Sequence, residues 1–222
     1  TVDVDEERIK EAFEPFKGHV SQVPPKYSAI KVKGKKLYQY ARSGEEVQIK
    51  PRNVFLQRLS VDEIDLTNHT VSFTVTCSKG TYIRSICRDV GKTLGCGAVM
   101  SKLTRTASGI FTLDSARSMD ELRAMNREQI VTRFCKTDVP LVHFGKVVVD
   151  QRSGKYFCNG GRLDDGDVQL EKEPEFLYRD PEIPVREEYK TAYNVYLRDE
   201  TGDTFLGVAF YDGTYKADKV FY

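Results

Sequence analysis

The chain has 222 residues and a mass of 25.3 kDa; 40% of the residues are hydrophobic, 30% are charged, and the formal net charge is +1. These proportions indicate a globular protein with room for one large domain, or one medium and one small domain, and exclude collagen-like and low-complexity chains. No apolar run approaches the roughly 20 residues of a membrane-spanning helix, and residues 1–16, with six acidic and two basic side chains, are the opposite of a signal or transit peptide.

The first predicted element is a helix that ends near Gly18. Asp3 and Glu6 have the spacing of a capping box at its start. Apolar residues then recur at helical intervals, at Ile9, Ala12, Phe13 and Phe16. Two prolines in residues 22–28 favour an extended loop after this helix. A short helix over residues 36–42 follows and is expected to stop at a glycine.

The middle of the chain predicts a strand pair and a second long helix. Residues 54–66 and 70–78 have strand character and flank a turn at 67–69. Residues 82–94 have a helical period, with Gly95 closing the helix. Its inward positions are expected to be Ile83, Ile86, Cys87, Val90 and Leu94.

A further helix is predicted over residues 118–134, and the sequence changes character at Pro140. Short β-type runs separated by turn residues follow, at 146–149, 193–197 and 205–211. We therefore expect a domain over residues 1–139 and a small β-rich domain over residues 140–222.

The cysteines and histidines do not have the spacing of a metal site. The five cysteines are scattered and form no C-x-x-C pair, which favours buried, reduced thiols: Cys77, Cys87, Cys96, Cys135 and Cys158. The three histidines are far apart in the sequence, at positions 19, 69 and 143. The sequence thus predicts neither a zinc site nor a catalytic triad.

Charge is unevenly distributed along the chain. Residues 17–52 carry a net charge of +7, residues 77–106 a net charge of +5, and residues 162–189 a net charge of -6. Clustered lysine and arginine attract polyanions and contact phosphates, although a merely solvated charged face remains an equal alternative. The acidic stretch is interpreted as a solvated loop region.

Two motifs combine charge with aromatic rings or with a helix start. In residues 27–42, basic side chains alternate with three tyrosines, which suits phosphates and unpaired bases, or equally a core. Residues 77–84 read CSKGTYIR: a strand end, a glycine turn and a helix start whose N–H groups can bind an anion. Tyr82 and Arg84 lie beside that turn, where a core tyrosine and an exposed arginine are the alternative.

These motifs, in this order, resemble the TruB family of bacterial tRNA pseudouridine-55 synthases over about residues 18–137. The matching text is QVPP-x-YSA at 22–29, GKKLY-x-YAR-x-G at 34–44, CSKGTYIR at 77–84, LGCGA at 94–98 and LTRT at 103–106. The resemblance implies an α+β fold. Residues 1–139 would be part of the mixed, mainly antiparallel synthase sheet with flanking helices, and residues 140–222 more loosely resemble a small, β-rich PUA-like domain.

The resemblance also implies a reaction. Members of the family convert the T-arm uridine at position 55 of tRNA to pseudouridine: they flip the base, cut the N-glycosidic bond and rejoin the base through carbon, with no metal or organic cofactor. The resemblance places Tyr82 and Leu103 in the uridine pocket and pairs Arg84 with the catalytic aspartate, whose ionised form a guanidinium favours. RNA contacts are expected from an insertion at 22–52 and the turn after it, through Lys31, Lys35, Lys36, Tyr38, Arg42 and Lys79.

One departure from the family pattern affects the expected activity. The family's nucleophile is the aspartate of an upstream Gly-x-Leu-Asp-Pro motif, which these 222 residues do not contain. Asp114 lacks the flanking glycine and proline and is interpreted as a loop or capping residue, and Asp89 as a structural acid. We therefore expect a C-terminal portion of the synthase, inactive alone, monomeric and cytoplasmic, with the T arm of tRNA and its own N-terminal half as partners.

Two other functions remain open from the sequence. One is a non-catalytic tRNA-binding or RNA-folding module that uses the same basic surface. The other is a protein-interaction domain whose working surface is the acidic stretch at 162–189.

Overall fold

Residues 3–175 and 186–221 are described by a computed structural model, and their contacts group them into two units, Thr1–Leu103 and Thr104–Tyr222. The domain boundary expected at 139/140 rests on sequence character and stays a prediction. Within the described ranges, no helix combines the length and apolarity needed to cross a bilayer.

The first unit is built on a three-stranded antiparallel sheet. Its strand order is β1-β4-β5, and β2 and β3 form a separate two-stranded hairpin. The helices are α1 (Glu6–Phe13), α2 (Leu37–Ser43) and α3 (Ile83–Leu94). The strands are β1 (Gly18–Gln22), β2 (Lys31–Val32), β3 (Lys35–Lys36), β4 (Arg52–Asp65) and β5 (Thr70–Cys77).

The first helix begins later in the chain than the sequence predicts. Asp5, and not Asp3, is its N-cap: the Asp5 carboxylate accepts a hydrogen bond from the backbone N–H of Arg8 at 2.8 Å. The predicted capping box of Asp3 and Glu6 is therefore wrong, because Glu6 is already the first residue of α1. The same cap satisfies one of the free N–H groups at the start of the helix.

Helices α1 and α3 contribute the apolar side chains that pack with β4 in the core of the first unit. The buried members are Ile9, Ala12, Phe13, Val54, Leu56, Leu59, Ile86 and Val90. The rings of Phe13 and Phe73 are 5.0 Å apart, which joins α1 to β5 as well. Each valine, leucine, isoleucine or phenylalanine of this set contributes about 1.5–3 kcal/mol on full burial. The predicted helix periodicity and strand pair are thus confirmed in this unit.

The second unit is built on a six-stranded sheet of order β10-β8-β11-β12-β13-β9, in which only β8 and β11 are parallel among the described strands. Its strands are β6 (Ala107–Ser108), β7 (Phe111–Thr112), β8 (Gly145–Val149), β9 (Arg162–Leu163), β10 (Gln169–Lys172), β11 (Ala192–Asp199), β12 (Gly202–Tyr211) and β13 (Tyr215–Val220). Its helices are α4 (Met119–Ala124), α5 (Arg127–Val131), α6 (Gln151–Cys158) and α7 (Glu187–Lys190). Strands β6 and β7 pair only with each other among the described strands.

Two helix predictions differ from the structure of the second unit. The single helix predicted over 118–134 is two helices, because Asn126 caps α5: its side chain accepts from the N–H of Gln129 at 2.9 Å. Helix α6 falls in the region expected to contain only strands and turns. It begins after Asp150, whose carboxylate accepts from the N–H of Ser153 at 2.8 Å.

The sheet of the second unit encloses a core of its own. The buried side chains are Val147, Val149, Phe157, Leu163, Tyr193, Val195, Leu206, Ala209 and Tyr215. Both units together therefore have the α+β, mainly antiparallel architecture that the sequence predicts.

The acidic stretch is not simply a solvated loop. Within it, Gln169–Lys172 is a strand, and Glu171 pairs with Lys146 at 2.8 Å and with Arg198 at 2.7 Å. Residues 176–185 of the stretch lie outside the described residues.

The prediction of buried thiols is wrong, because Cys77, Cys96 and Cys135 are exposed and Cys87 and Cys158 are only partly buried.

Candidate nucleic-acid interface

The turn between β5 and α3 is held by Ser78. The backbone N–H of Ser78 donates to the carbonyl of Phe55 at 2.7 Å, and its hydroxyl accepts from the N–H of Phe55 at 2.9 Å. The hydroxyl of Thr81 donates to the carbonyl of Ser78 at 2.9 Å. Gly80 has φ of +85°, a conformation that favours glycine. These contacts fix the turn and leave the side chain of Lys79 exposed.

Tyr82 is the N-cap residue of α3 and is held by a side chain from another strand. Its backbone is extended, with no capping side chain of its own. The amide of Gln22, at the end of β1, accepts from the N–H of Tyr82 at 2.8 Å and donates to its carbonyl at 3.1 Å. Gln22 is only 3% exposed. Tyr82 itself is partly exposed, so its position is set through its backbone.

Three side chains of α3 bind the loop that follows β1. Arg84, which is exposed, donates to the carbonyl of Tyr27 at 3.0 Å. Ser85 and Arg88 both donate to the carbonyl of Val23, at 2.9 and 3.1 Å. The loop over residues 23–28 and the first turns of α3 therefore form one hydrogen-bonded piece.

The insertion at 22–52 contains a lysine-rich hairpin followed by a short helix. Lys31 pairs with Lys36 across the hairpin. The turn of the hairpin is Lys33-Gly34, and both residues have positive φ, as is typical of two-residue hairpin loops. Helix α2 begins at once after β3 and ends at Gly44, whose φ is +71°. The predicted short helix and its stop are confirmed.

Tyrosine rings and basic side chains of the insertion are in contact. The guanidinium of Arg42 and the ammonium of Lys36 lie over the ring of Tyr38, at 5.3 and 5.6 Å from its centre. Neither Lys36 nor Arg42 has a carboxylate partner within the described part of the chain. Both cations therefore remain available to an external anion. Their charged groups lie over the ring of Tyr38, and their aliphatic parts can pack beside it.

Lys35 has a different environment. Its ammonium lies over the ring of Tyr40 at 4.6 Å and forms an ion pair with Glu45 at 2.6 Å. The hydrogen bond from Lys35, followed by one from Ser43, lowers the pKa of Glu45. Lys35 would exchange this carboxylate for a phosphate if it contacted RNA, so its net contribution should be smaller than that of Lys36.

The remaining predicted residues lie on other elements of the chain. Leu103 lies in the irregular stretch that follows α3 and is 56% exposed. Asp89 is on α3 and pairs with Arg88 at 2.7 Å, which is a structural role. Asp114 lies in a 3-10 turn, Leu113–Ser115, of the second unit. The structure thus brings Lys36, Tyr38 and Arg42 together, and it joins Tyr82 and Arg84, at the start of α3, to residues 22–28.

Sequence reasoning did not assign a role to Gln22, Ser85 or Arg88. One signal was present: in β1, side chains alternate between the two faces, and Gln22 shares the inward face with Val20. A polar residue at an inward strand position needs a buried partner.

Two family models match consecutive parts of this chain. Residues 1–83 match the TruB family pseudouridylate synthase (N terminal domain), and residues 84–134 match the tRNA pseudouridylate synthase B C-terminal domain. The chain is 45% identical over 157 residues to tRNA pseudouridine synthase B of Alkaliphilus oremlandii, covering 71% of this chain and 51% of the relative. It is 41% identical over 162 residues to the protein of that name from Clostridioides difficile, covering 72% and 53%. The chain spans about half the length of these curated relatives.

Solved structures resemble the whole fold. A chain of a Cbf5-Nop10-Gar1 complex matches with a TM-score of 0.67 at 20% identity, covering 99% of this chain and 62% of that one. A chain of an H/ACA RNP bound to a substrate RNA containing 2'-deoxyuridine matches with a TM-score of 0.66 at 17% identity and the same coverage. At these identities the likeness concerns the fold.

Proposed function

Because the chain belongs to the TruB family of pseudouridylate synthases, we propose that its residues serve a tRNA pseudouridine synthase that isomerises the T-arm uridine at position 55. The observation that carries this proposal is the hydrogen-bonded unit of residues 22–28 and the start of α3. It joins the basic insertion directly to Tyr82 and Arg84.

The insertion supplies the grip on RNA. Lys31, Lys36 and Arg42 offer charges to phosphates, and Tyr38 offers a ring already braced by two cations. Lys79, exposed in the turn before α3, adds a further charge near the uridine. Single-stranded loops are the parts of RNA whose bases can be turned outward and stacked on such rings.

Arg84 and Tyr82 serve the flipped uridine. The reaction breaks the bond between the ribose and N1 of the base and forms a bond from the same ribose carbon to C5. C5 then loses its proton and N1 gains one. Arg84 holds the catalytic aspartate ionised and in place through a charge-assisted hydrogen bond. Tyr82 and Leu103 line the apolar side of the uridine pocket, where a base removed from its stack regains contact area.

The nucleophile is not among these residues. Asp89 is committed to Arg88, and Asp114 lies in a turn of the second unit. These 222 residues alone are therefore expected to bind the T arm without isomerising it, and the half that carries the Gly-x-Leu-Asp-Pro motif is their partner. The protein would act as a monomer with that half, in the cytoplasm, where its tRNA substrate is found.

Binding is the direct test of the grip. A fluorescent T-arm hairpin is titrated with the chain, and an equal-length hairpin with a different loop serves as the control RNA. Tighter binding to the T arm at equal salt supports the proposal. Equal binding of both hairpins at every salt concentration would show only nonspecific attraction to phosphate and would overturn it.

A further inference from the structure

Gln22 occupies an unusual position between the two parts of the proposed site. It is the last residue of β1, and its side chain is buried although it is a polar amide. Both ends of that amide bind the same residue, Tyr82, which is 60 positions later in the chain. The amide thus binds the Tyr82 backbone as a neighbouring strand would.

The two hydrogen bonds are not equivalent. The carbonyl of Tyr82 also accepts from the N–H groups of Ser85 and Ile86, at 3.0 and 3.3 Å. Among the described residues, only Gln22 accepts from the N–H of Tyr82. Loss of the Gln22 side chain would therefore leave the Tyr82 N–H without its acceptor. It would also remove the link between β1 and this N-cap residue of α3.

The neighbouring hydrogen bonds also join the loop after β1 to α3, but they involve other atoms. Ser85 and Arg88 hold the carbonyl of Val23, and Arg84 holds the carbonyl of Tyr27. None of these three bonds involves the backbone of Tyr82. Gln22 is thus the residue that ties Tyr82 to β1, while the others tie the loop to α3.

We propose that Gln22 is a positioning residue of the uridine site, which acts through Tyr82 and sets where that tyrosine meets the flipped base. This inference rests on the proposed function. It goes beyond that function by separating the placement of the base from the grip on the RNA. Because Gln22 is buried, we expect it to make no contact with the RNA, and its effect should be confined to the base.

The test uses the full chain and a T-arm hairpin with a single 5-fluorouridine at the target position. Fluorescence anisotropy gives the Kd, and the fluorine resonance reports the surroundings of the target base. Gln22→Met keeps the volume and removes both hydrogen bonds. Gln22→Glu keeps an acceptor for the N–H of Tyr82. Gln57→Met changes an exposed glutamine of β4, outside the insertion, and is the matched control.

We expect the wild-type chain and Gln57→Met to give a distinct bound fluorine resonance. In Gln22→Met the Kd should stay within about twofold, because phosphate contacts carry the affinity, while the bound resonance is lost. Gln22→Glu should recover part of it. Should Gln22→Met be too unstable to test, Gln22→Glu decides, with a bound resonance displaced from that of the wild type.

Other results would overturn the inference. An unchanged resonance in both Gln22 variants would show that Tyr82 needs no such support. A folded Gln22 variant that loses both its affinity for the T arm and the bound fluorine resonance would show that Gln22 supports the RNA grip as a whole. A wild-type chain that binds the T arm no better than the control RNA, or gives no bound resonance, would overturn the proposed function and this inference with it.

Discussion

The guanidinium of Arg84 donates a hydrogen bond to the backbone carbonyl of Tyr27 at 3.0 Å, across 57 positions of sequence. Tyr27 lies in the loop at the start of the basic insertion, and Arg84 lies in the first turn of α3. A guanidinium has five N–H donors, so this bond leaves others for a carboxylate. The residue proposed to hold the nucleophile is thus in direct contact with the segment proposed to hold the RNA.

Removal of this guanidinium should abolish most of the reaction without loosening the fold. In the enzyme reconstituted with the upstream half, Arg84→Met should lower the single-turnover rate by roughly 100-fold or more, because an ionised partner of the reacting group is lost. Arg84→Lys should be intermediate, since an ammonium keeps the charge but not the two-pronged geometry. Arg58→Met, at an exposed position of β4, is the control. A rate within twofold of wild type for Arg84→Met would contradict the assignment.

The basic insertion should dominate the salt dependence of RNA binding. Replacing Lys31, Lys36 and Arg42 with alanine should reduce the slope of log Kd against log salt by roughly two, because about 0.7–0.9 counterions are released per phosphate contact. Lys10→Ala with Lys17→Ala removes surface charge from the region around α1 and should leave the slope unchanged.

Lys35 provides a sharper comparison within the same insertion. Because Glu45 already neutralises its ammonium at 2.6 Å, Lys35→Ala should weaken T-arm binding less than Lys36→Ala. The measurement is a pair of titrations at equal salt. A larger loss for Lys35→Ala would show that RNA displaces Glu45 and that the ion pair has little influence.

The end of α3 should not tolerate a methyl group at Gly91. A Cβ there would lie 2.1 Å from the backbone nitrogen of Ala98 and 2.4 Å from the carbonyl carbon of Gly97. Gly91→Ala should lower the free energy of unfolding by about 2–4 kcal/mol, since backbone atoms must move. Gly166→Ala, where a Cβ meets nothing within 4 Å, is the control. Urea unfolding measures both, and equal midpoints would contradict the close approach.

The charge network of the second unit should produce a pH-dependent stability. Hydrogen bonds from Arg198, then Lys146, hold the pKa of Asp203 well below its usual 3.8. A lowered carboxylate pKa contributes stability that is complete above pH 3.8 and lost as the pH falls through the folded-state value.

The variant Asp203→Asn tests this contribution. It should cost about 1–2 kcal/mol at pH 7, and its difference from wild type should narrow as the pH falls below 3.8. Asp212, which pairs with Arg162, is more exposed than Asp203. Asp212→Asn should therefore have no measurable effect on the free energy of unfolding. A constant difference at every pH, measured by urea unfolding, would show that shape and not charge is responsible.

Much of the first unit follows from periodicity in the sequence. The strand character of residues 54–66 and 70–78 and the helical spacing of Ile86 and Val90 predicted elements that the structure contains, within one or two residues at their ends. Glycines at positions 44 and 95 end their helices, as predicted, and the structure shows both in the left-handed conformation. Such features are local, so local rules suffice for them.

Contacts between distant residues could not be predicted in the same way. The hydrogen bonds from Gln22 to Tyr82 and from Arg84 to Tyr27 depend on how β1 and α3 come together. Helix α6 was missed because it is short and largely polar, and its start depends on the capping side chain of Asp150. The break between α4 and α5 likewise depends on one cap, at Asn126.

In the proposed enzyme, these residues grip the T arm and support the chemistry while the nucleophile comes from the upstream half. This division of roles is tested by the release of tritium from C5 of the target uridine in a T-arm RNA. The chain alone should bind the RNA and release no tritium above background, and addition of the Gly-x-Leu-Asp-Pro half should start the release. Release at an enzymatic rate by the chain alone would contradict the account and direct attention to Asp89 and Asp114.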